Sequence, residues 1–234
     1  CRLDIIFNAG SRYQQQKLEA VASMSLLTEG TSRHSSQQIS EHFDFYGSFV
    51  GSSADKDFAK LTVYFLAKHF DKTIEMVDEI VKSPSYPKAE IETWAQRGKQ
   101  NLMVELEKTS TLSRIEFYKS IFGENHPYGI FAQPDDYDNL PKSNLKYFHE
   151  SYLNSGDATL LLSGKITDRQ IEIVQEHFGK NTWGKSITKS AADLNTNYSA
   201  PGERFVHKPN AVQTAIKVGR KLFTRTHPDC PDMM

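Results

Sequence analysis

The stretch LEAVASMSLLTEGT, residues 18–31, decides which fold this sequence predicts. Four apolar residues recur in it at intervals of three and four, on one predicted helix face: Leu18, Val21, Ala22 and Leu26. Gly30 follows this pattern and can take the left-handed conformation that closes a helix C-terminus. Residues 18–31 are therefore predicted to contain a buried amphipathic helix, and the motifs on either side indicate what kind of helix it is.

The composition describes a globular chain with almost no net charge. The 28 Lys and Arg residues nearly balance the 29 Asp and Glu residues, so no broad electrostatic field attracts nucleic acid or an anionic membrane. No apolar run approaches the roughly 20 residues that span a bilayer. The two cysteines, Cys1 and Cys230, have neither a disulfide framework nor a metal-ligand spacing. We expect no nucleic-acid or membrane partner, and the sequence leaves the compartment open, cytoplasmic or periplasmic.

The sequence begins and stops abruptly. Residues 1–9 already have the pattern of a strand, and the last residues are DCPDMM. We expect that both ends are cut from a longer polypeptide. A mature lipoprotein also begins with a cysteine, but a flexible tether usually follows that residue instead of a strand.

The order of predicted elements favours an α+β fold. Two alternating runs, residues 49–53 and 59–67, predict an antiparallel hairpin with its turn at residues 54–57. Helices are predicted at residues 35–46, 70–81, 87–108, 112–122, 145–152 and 171–178. The first of them begins with the capping-box spacing of Ser35 and Gln38. The second has its inward residues at Ile74, Val77, Ile80 and Val81. We expect two layers, an antiparallel or mixed sheet with the helices packed on one face.

The C-terminal half predicts the domain boundaries. Residues 158–163, ATLLLS, form a continuous apolar run of the kind found inside a sheet. Residues 185–204 are poor in apolar side chains, which predicts a linker. The alternation of residues 213–218, QTAIKV, predicts a strand. The predicted organisation is one domain over residues 1–184, this linker, and the start of a second, mostly missing domain over residues 205–234.

Seven short motifs follow one another along the chain. They are AGSR at 9–12, EGT at 29–31, SFVG at 48–51, SP at 83–84, HPYG at 126–129, YFxxxY at 147–152 and LSG at 162–164. Their shared order, over about residues 3–180, resembles the insulinase/pitrilysin family of peptidases, which includes the mitochondrial processing peptidases. The resemblance implies the α+β metallohydrolase fold of that family, and QTAIKVGR resembles the start of a second family domain.

In active members of this family, the helix before the Gly-Thr carries an inverted zinc motif, His-x-x-Glu-His. Two imidazoles one turn apart hold the metal, and the glutamate between them activates a water molecule. Counted back from the Gly-Thr, these positions fall on Val21, Met24 and Ser25, which supply neither an imidazole nor a carboxylate. The family's third ligand, a glutamate of the long helix, falls near residues 101–103, and Glu105 lies close to them.

The other histidines and acidic residues offer no alternative site. No histidine occurs between residues 1 and 33, so a shifted alignment does not restore the motif. Residues 38–42, QISEH, match the motif except for Gln38, but they lie on a later helix and are expected to form a solvated face. Surface or capping roles are expected for all eight scattered histidines: His34, His42, His69, His126, His149, His177, His207 and His227. We therefore predict no catalytic residue, no metal ligand and no cofactor.

The resemblance leaves three hypotheses for the function. The first is a non-catalytic insulinase-like domain, the zinc-free half of a peptidase chamber that helps to enclose or position a peptide substrate. Its partner would be a zinc-bearing homologous subunit or a second copy of the chain. The second is a zinc metalloendopeptidase with a displaced site. The third is a free-standing peptide-binding or structural module that adds an extended strand to an exposed sheet edge.

Overall fold

The structure, a computed structural model, describes residues 1–185, 202–223 and 227–230. Nearly all of the predicted linker, residues 185–204, lies outside these ranges. The chain divides into two compact units. The first contains Cys1–Leu102 and Ala132–Ala192, and the second contains Met103–Phe131 and Asp193–Met234. The predicted organisation into a domain over residues 1–184 and a second domain from residue 205 stays a prediction.

The first unit is built on a four-stranded sheet. Its strands are β1 (Arg2–Phe7), β2 (Phe49–Ala54), β3 (Ala59–Tyr64) and β4 (Ala158–Ser163), in the spatial order β2-β3-β1-β4. All three neighbouring pairs are antiparallel. Together with the helices described below, this sheet confirms the predicted α+β fold class, and the sheet is antiparallel over the described residues.

One face of the sheet carries the main core. Side chains of a strand alternate between the two faces, and on β1 the inward residues Leu3 and Ile5 are fully buried. They lie opposite Val63 and Leu61 of β3, which are fully buried as well. The outer face is more exposed, as at Tyr64. Burial on one face explains why the hairpin residues alternate so regularly in sequence.

The prediction that ATLLLS lies inside a sheet is wrong for the part of the chain described here. β4 pairs only with β1 and forms one edge of the described sheet. Leu160 and Leu162 face inward but are only half-buried, and Leu161 on the outer face is 52% exposed. An apolar run cannot distinguish an edge strand from a central one, because the position of a strand depends on topology and not on its own composition.

Seven α-helices occur in the described residues. They are α1 (Glu19–Ser25), α2 (Ser36–Phe45), α3 (Phe70–Lys82), α4 (Lys88–Leu106), α5 (Thr109–Phe122), α6 (Lys142–Tyr152) and α7 (Asp168–Val174). The capping box predicted at Ser35 and Gln38 is present at the start of α2. Most bounds agree with the predicted helices to within a few residues, but α1 is shorter than the sequence pattern predicts.

α3 and α6 complete the core of the first unit. The inward residues predicted for α3 are all buried: Ile74, Val77, Ile80 and Val81. His149 of α6 is buried too, and its Nε2 lies 2.7 Å from the carbonyl oxygen of Val81. Burial lowers the pKa of His149, and the hydrogen bond with Val81 opposes this only in part. A surface position is therefore wrong for this histidine, whereas its contact with a carbonyl in the last turn of α3 is of the capping kind.

The second unit contains α5 and the described C-terminal residues. Residues 213–218, predicted to be a strand, have no regular secondary structure. The apolar side chains of Ile216 and Val218 are mostly exposed. A strand needs a neighbour to pair its backbone groups, and residues 213–218 pair with none of the described strands. The strand prediction is therefore wrong for this structure.

Candidate functional site

α1 is buried on two sides instead of one. It begins after Leu18, whose φ of 76° is left-handed, and ends at Ser25. One side contributes Ala20 and Met24 to the main core. The other side contributes to a second cluster whose members are Leu18, Ala22, Leu26, Tyr86, Ile91, Leu140 and Leu145. The periodicity of the helix cannot indicate this burial on two sides, because it depends on contacts with distant residues.

The structure does not bring the three predicted zinc-motif positions onto one surface. Val21 is 37% exposed, so its predicted inward orientation is wrong. Ser25, one turn later, is half-buried on the same side of α1. Met24 is 1% exposed, and its side chain lies in the main core. Zinc is the metal that the resemblance implies, and these three residues do not fit it. Valine has no ligand atom, and the thioether of Met24 lies in the core, away from the exposed side of the helix.

The predicted region of the third ligand is equally poor in donors. Asn101 is exposed on α4, and no carboxylate occurs at residues 101–103. Glu105 accepts hydrogen bonds from Lys108 Nζ at 2.5 Å and from Thr111 Oγ1 at 3.3 Å. The hydrogen bond from Lys108 is the main reason why the pKa of Glu105 lies below its usual value. This carboxylate is thus engaged at the junction of α4 and α5.

The QISEH segment has structural roles on α2. Gln38 Oε1 accepts a hydrogen bond from the Ser35 backbone N–H at 2.9 Å, and Glu41 accepts one from Gln37. The Nε2 atom of His42 lies 2.9 Å from the Lys72 carbonyl oxygen. Across the described ranges, no group of three or more His, Cys, Asp or Glu side chains is placed to hold a metal ion.

The HPYG motif forms a hydrogen-bonded turn in the second unit. The Nδ1 atom of His126 accepts a hydrogen bond from the Tyr128 N–H at 3.1 Å, and Gly129 N–H donates to the His126 carbonyl at 2.8 Å. The His126 ring stacks on Phe122, with centroids 5.2 Å apart. A Cβ atom at position 129 would lie only 1.9 Å from the Gly123 carbonyl oxygen. The geometry is that of a structural turn.

A buried carboxylate that the motifs do not include fixes the loop after α1. Glu79 of α3 is 5% exposed and accepts a hydrogen bond from the Thr31 hydroxyl. It also lies 2.8 Å from His34 Nδ1 and 2.7 Å from an Arg33 guanidinium nitrogen. Burial by itself raises the pKa of Glu79, but the hydrogen bonds from Thr31 and His34 and the nearby positive charges outweigh it, so the pKa is lowered.

The same loop joins two of the sequence motifs. The carbonyl oxygen of Gly30 accepts a hydrogen bond from Ser85 N–H at 2.9 Å, and Thr31 forms a β-bridge with Pro84. The EGT and SP motifs therefore meet in the structure, after the C-terminal end of α1, although they are more than fifty residues apart in sequence. Sequence reasoning missed Glu79, because a lone glutamate on an amphipathic helix has no pattern that separates it from solvent-facing ones.

β2 presents a free strand edge beside α1. α1 packs against β2, and β2 is the last strand on its side of the described sheet. The Asp55 N–H donates to the Phe58 carbonyl at 2.8 Å and closes the hairpin. Since hydrogen-bonded pairs alternate along an antiparallel ladder, Gly51 and Ser53 bond to β3, and the backbone groups of Ser52 point to the free edge.

The same alternation extends across the sheet. The N–H of Phe65 donates to the Cys1 carbonyl at 3.0 Å, and the N–H of Asn8 donates to the Asp157 carbonyl at 3.4 Å. The first contact indicates that odd-numbered residues of β3 bond to β1, and the second that even-numbered residues of β1 bond to β4. Both agree with a pattern in which even-numbered residues of β3 bond to β2. The orientation of Ser52 is thus fixed by three strands, not by the hairpin alone.

β2 lacks the devices that usually protect a sheet edge. Its sequence, FVGSSA, contains no charged residue and no proline. The arrangement can pair with an extended chain.

Near the same helix, a shallow groove of about 210 Å³ lies between the end of α1 and α4. It is lined by Leu26, Glu29, Glu90, Thr93, Trp94, Arg97, Gly98 and Asn101.

The fold is shared with solved structures of peptidases and related proteins. A peptidase M16 inactive domain from Pseudomonas fluorescens superimposes with a TM-score of 0.72 at 22% identity, over 80% of this chain and 47% of that one. A protease from Helicobacter pylori gives a TM-score of 0.68 at 18% identity, over 85% of this chain and 48% of that one. This chain thus spans about half the length of either.

The sequence places the chain within a family. The family model of insulinase, peptidase family M16, matches residues 1–124. The match covers more than half of the chain, so the chain belongs to the insulinase family. This match confirms the resemblance that the sequence motifs indicated. The sequence is also similar to the mitochondrial-processing peptidase subunit alpha-1 of Dictyostelium discoideum, with 18% identity over 206 residues. That match covers 86% of this chain and 32% of the relative, so this chain spans about a third of it.

Proposed function

We propose that this chain is a non-catalytic insulinase-family domain that holds a peptide in extended form along β2, as the zinc-free half of a peptidase chamber. The observation that carries the proposal is the unprotected edge of β2 beside an α1 surface without zinc ligands. An extended peptide can pair with Val50 and Ser52 through its backbone, whatever its sequence. The protein thereby positions the peptide, and a partner cleaves it.

The absence of catalysis follows from the chemistry of the family positions. Hydrolysis by this family needs a metal-bound water and a carboxylate that removes its proton. Val21 and Ser25 occupy the two imidazole positions, and Met24 occupies the carboxylate position. The alternative of a displaced zinc site finds no supporting cluster among the described acidic, histidine and cysteine side chains.

A heteromeric assembly is the second part of the proposal. The relative from Dictyostelium is named as a subunit of a peptidase, which supports a zinc-bearing homologous subunit as partner. We also propose that residues 185–204 form a linker and that a second domain begins at residue 205. A homo-oligomer is the alternative assembly.

Within the described residues, no helix is long and apolar enough to cross a membrane.

The test removes one backbone donor from the free edge. Ser52→Pro deletes the N–H that faces the edge and leaves the β2–β3 ladder bonds intact, since proline is tolerated on edge strands. We expect the full chain to bind fluorescein-labelled nine-residue Thr/Ser peptides, measured by fluorescence anisotropy, and Ser52→Pro to weaken binding at least fivefold. Ser52→Ala keeps the N–H and serves as the matched control.

A second variant covers the possibility that Ser52→Pro does not fold. Ser53→Lys adds a charge at an exposed position of the edge, the usual natural protection against strand addition, and it should weaken peptide binding as well. Equal binding by wild type and both variants, with unchanged thermal unfolding, would overturn the proposal.

A further inference from the structure

We propose that Phe49 selects peptides with a large apolar side chain on the outer face of the sheet. The inference rests on the proposed function, because it names the class of peptide that the β2 edge takes. It concerns the face of β2 opposite to α1, so it depends on none of the zinc-motif positions.

The ring of Phe49 lies over Gly51, the next residue on the same face of β2. A Cβ atom at position 51 would lie 3.5 Å from Cε1 of Phe49, so the glycine provides the surface on which the ring rests. On the neighbouring strand, Tyr64 lies opposite Phe49, with ring centroids 6.4 Å apart. These two rings form an apolar shelf that extends from β3 to the last strand of the described sheet.

The shelf leaves most of Phe49 in solvent. The residue is 66% exposed even though Tyr64 is its cross-strand neighbour. An isolated exposed aromatic residue is ordinary, but this one lies at a strand edge whose backbone groups are available for pairing. Its exposed surface lies on the outer face of β2, the strand beside which a peptide strand would be added.

The register defines which peptide residue would contact the ring. Residues opposite one another on paired strands lie on the same face, with Cβ atoms about 4.5–5.5 Å apart. The peptide residue opposite Gly51 would thus lie on the outer face beside the Phe49 ring. Ser53, the following residue on that face, is small and leaves room for a large neighbour. An aromatic ring packed across a glycine of an adjacent strand is a favourable pairing.

The chain contains a matched control residue. Phe45, at the end of α2, is 80% exposed, more than Phe49, but it does not belong to the sheet. If general stickiness of exposed aromatic residues caused the selectivity, Phe45→Ala and Phe49→Ala would reduce it alike. If the strand register causes it, only Phe49→Ala should do so.

The experiment measures selectivity instead of affinity alone. Acetylated, fluorescein-labelled nine-residue Thr/Ser peptides carry Phe, Leu, Ser or Asp at the central position, and dissociation constants with the full chain come from anisotropy. We expect the Phe and Leu peptides to bind roughly two- to fivefold more tightly than the Ser peptide, the size of a cross-strand pair contribution. Phe49→Ala should abolish this preference, and Phe45→Ala should keep it.

The outcomes separate the inference from the proposed function. A preference that persists in Phe49→Ala, while Ser52→Pro still weakens binding, would overturn the inference and leave the proposed function intact. Binding that does not respond to Ser52→Pro, or self-association of the chain through β2 instead of peptide binding, would overturn both. Phe49→Thr, which keeps strand propensity, replaces Phe49→Ala if the latter unfolds.

Discussion

At the scale of single residues, Met24 links a position of the family's zinc motif to the core of the fold. In an active relative this position carries the glutamate that activates water, and the resemblance assigns it that role. Here the thioether side chain of Met24 lies in the main core, next to the sheet. A carboxylate at this site would be buried among apolar side chains, where its charge is strongly disfavoured. At this position Met24 therefore contributes to stability.

Met24→Ala should accordingly be much more destabilising than Val21→Ala. Truncating a fully buried methionine leaves a cavity and typically costs about 2–5 kcal/mol, whereas a partly exposed valine on the helix surface should cost less than about 1 kcal/mol. Urea unfolding followed by circular dichroism measures both. Equal destabilisation by the two substitutions would contradict the assignment of Met24 to the core and of Val21 to the surface.

At the scale of elements, α3 holds the loop after α1 through one buried carboxylate. Glu79 connects to Thr31 and His34, and through Arg33 to the solvent-facing side of the loop. The hydrogen bonds keep the loop against α3. Because the groups that bind Glu79 stabilise its ionised form, folding depends on pH through this residue.

Glu79→Gln should lower the free energy of unfolding at pH 7 and should make that free energy depend less on pH in acid. The folded-state pKa of Glu79 is lowered from the ordinary value of 4.5, so the stabilisation is fully present above about pH 4.5 and is lost as the pH falls through the lower folded-state pKa. We expect a loss of about 1–3 kcal/mol at pH 7, typical of a buried charged hydrogen-bond partner. Unfolding free energies between pH 7 and pH 3 measure both effects.

Glu75→Gln is the matched control for this prediction. Glu75 lies on the same helix and forms an ion pair with Lys72 at 3.1 Å, but its side chain is largely exposed. Exposed pairs of this kind contribute little, so the substitution should change stability by less than about 0.5 kcal/mol. Similar losses in both variants would contradict the role of Glu79 as the buried anchor of the loop.

At the scale of the whole molecule, the chain combines the insulinase-family fold with an α1 whose Val21, Met24 and Ser25 supply neither imidazole nor carboxylate. The sheet, α1 and the long α4 occur in the expected order, and the match extends over more than half of the chain. The same scaffold that would hold a metal in an active relative offers a groove and a strand edge here. The proposal of peptide binding without cleavage rests on this combination.

The purified chain should therefore contain much less than one zinc per molecule. The prediction follows from the donor chemistry of Val21, Met24 and Ser25, none of which is a usable zinc ligand at its position. Inductively coupled plasma mass spectrometry after dialysis against zinc and then against buffer measures the ratio, with a zinc-bearing member of the family treated in parallel. One tightly held zinc per chain would contradict the non-catalytic assignment.

The sequence predicted the fold class better than the details of the candidate site. Alternation in residues 49–67 predicted the hairpin, and the apolar stripe of 70–81 predicted the buried side of α3. Val21, in contrast, fits the apolar period of α1 but lies on the surface, because the helix is short and is packed on two sides. The strand predicted at 213–218 failed because pairing depends on a neighbour that no local pattern supplies.

The sequence alone determined what α1 cannot do: its residue types exclude two imidazoles and a carboxylate at the family positions, and ligand chemistry follows directly from residue type. Only the tertiary structure decided that Met24 lies in the core, that Glu79 anchors the distant EGT motif, and that β2 has a free edge beside α1. These properties depend on which elements become neighbours, since burial, pairing and pKa arise from contacts between residues far apart in the chain.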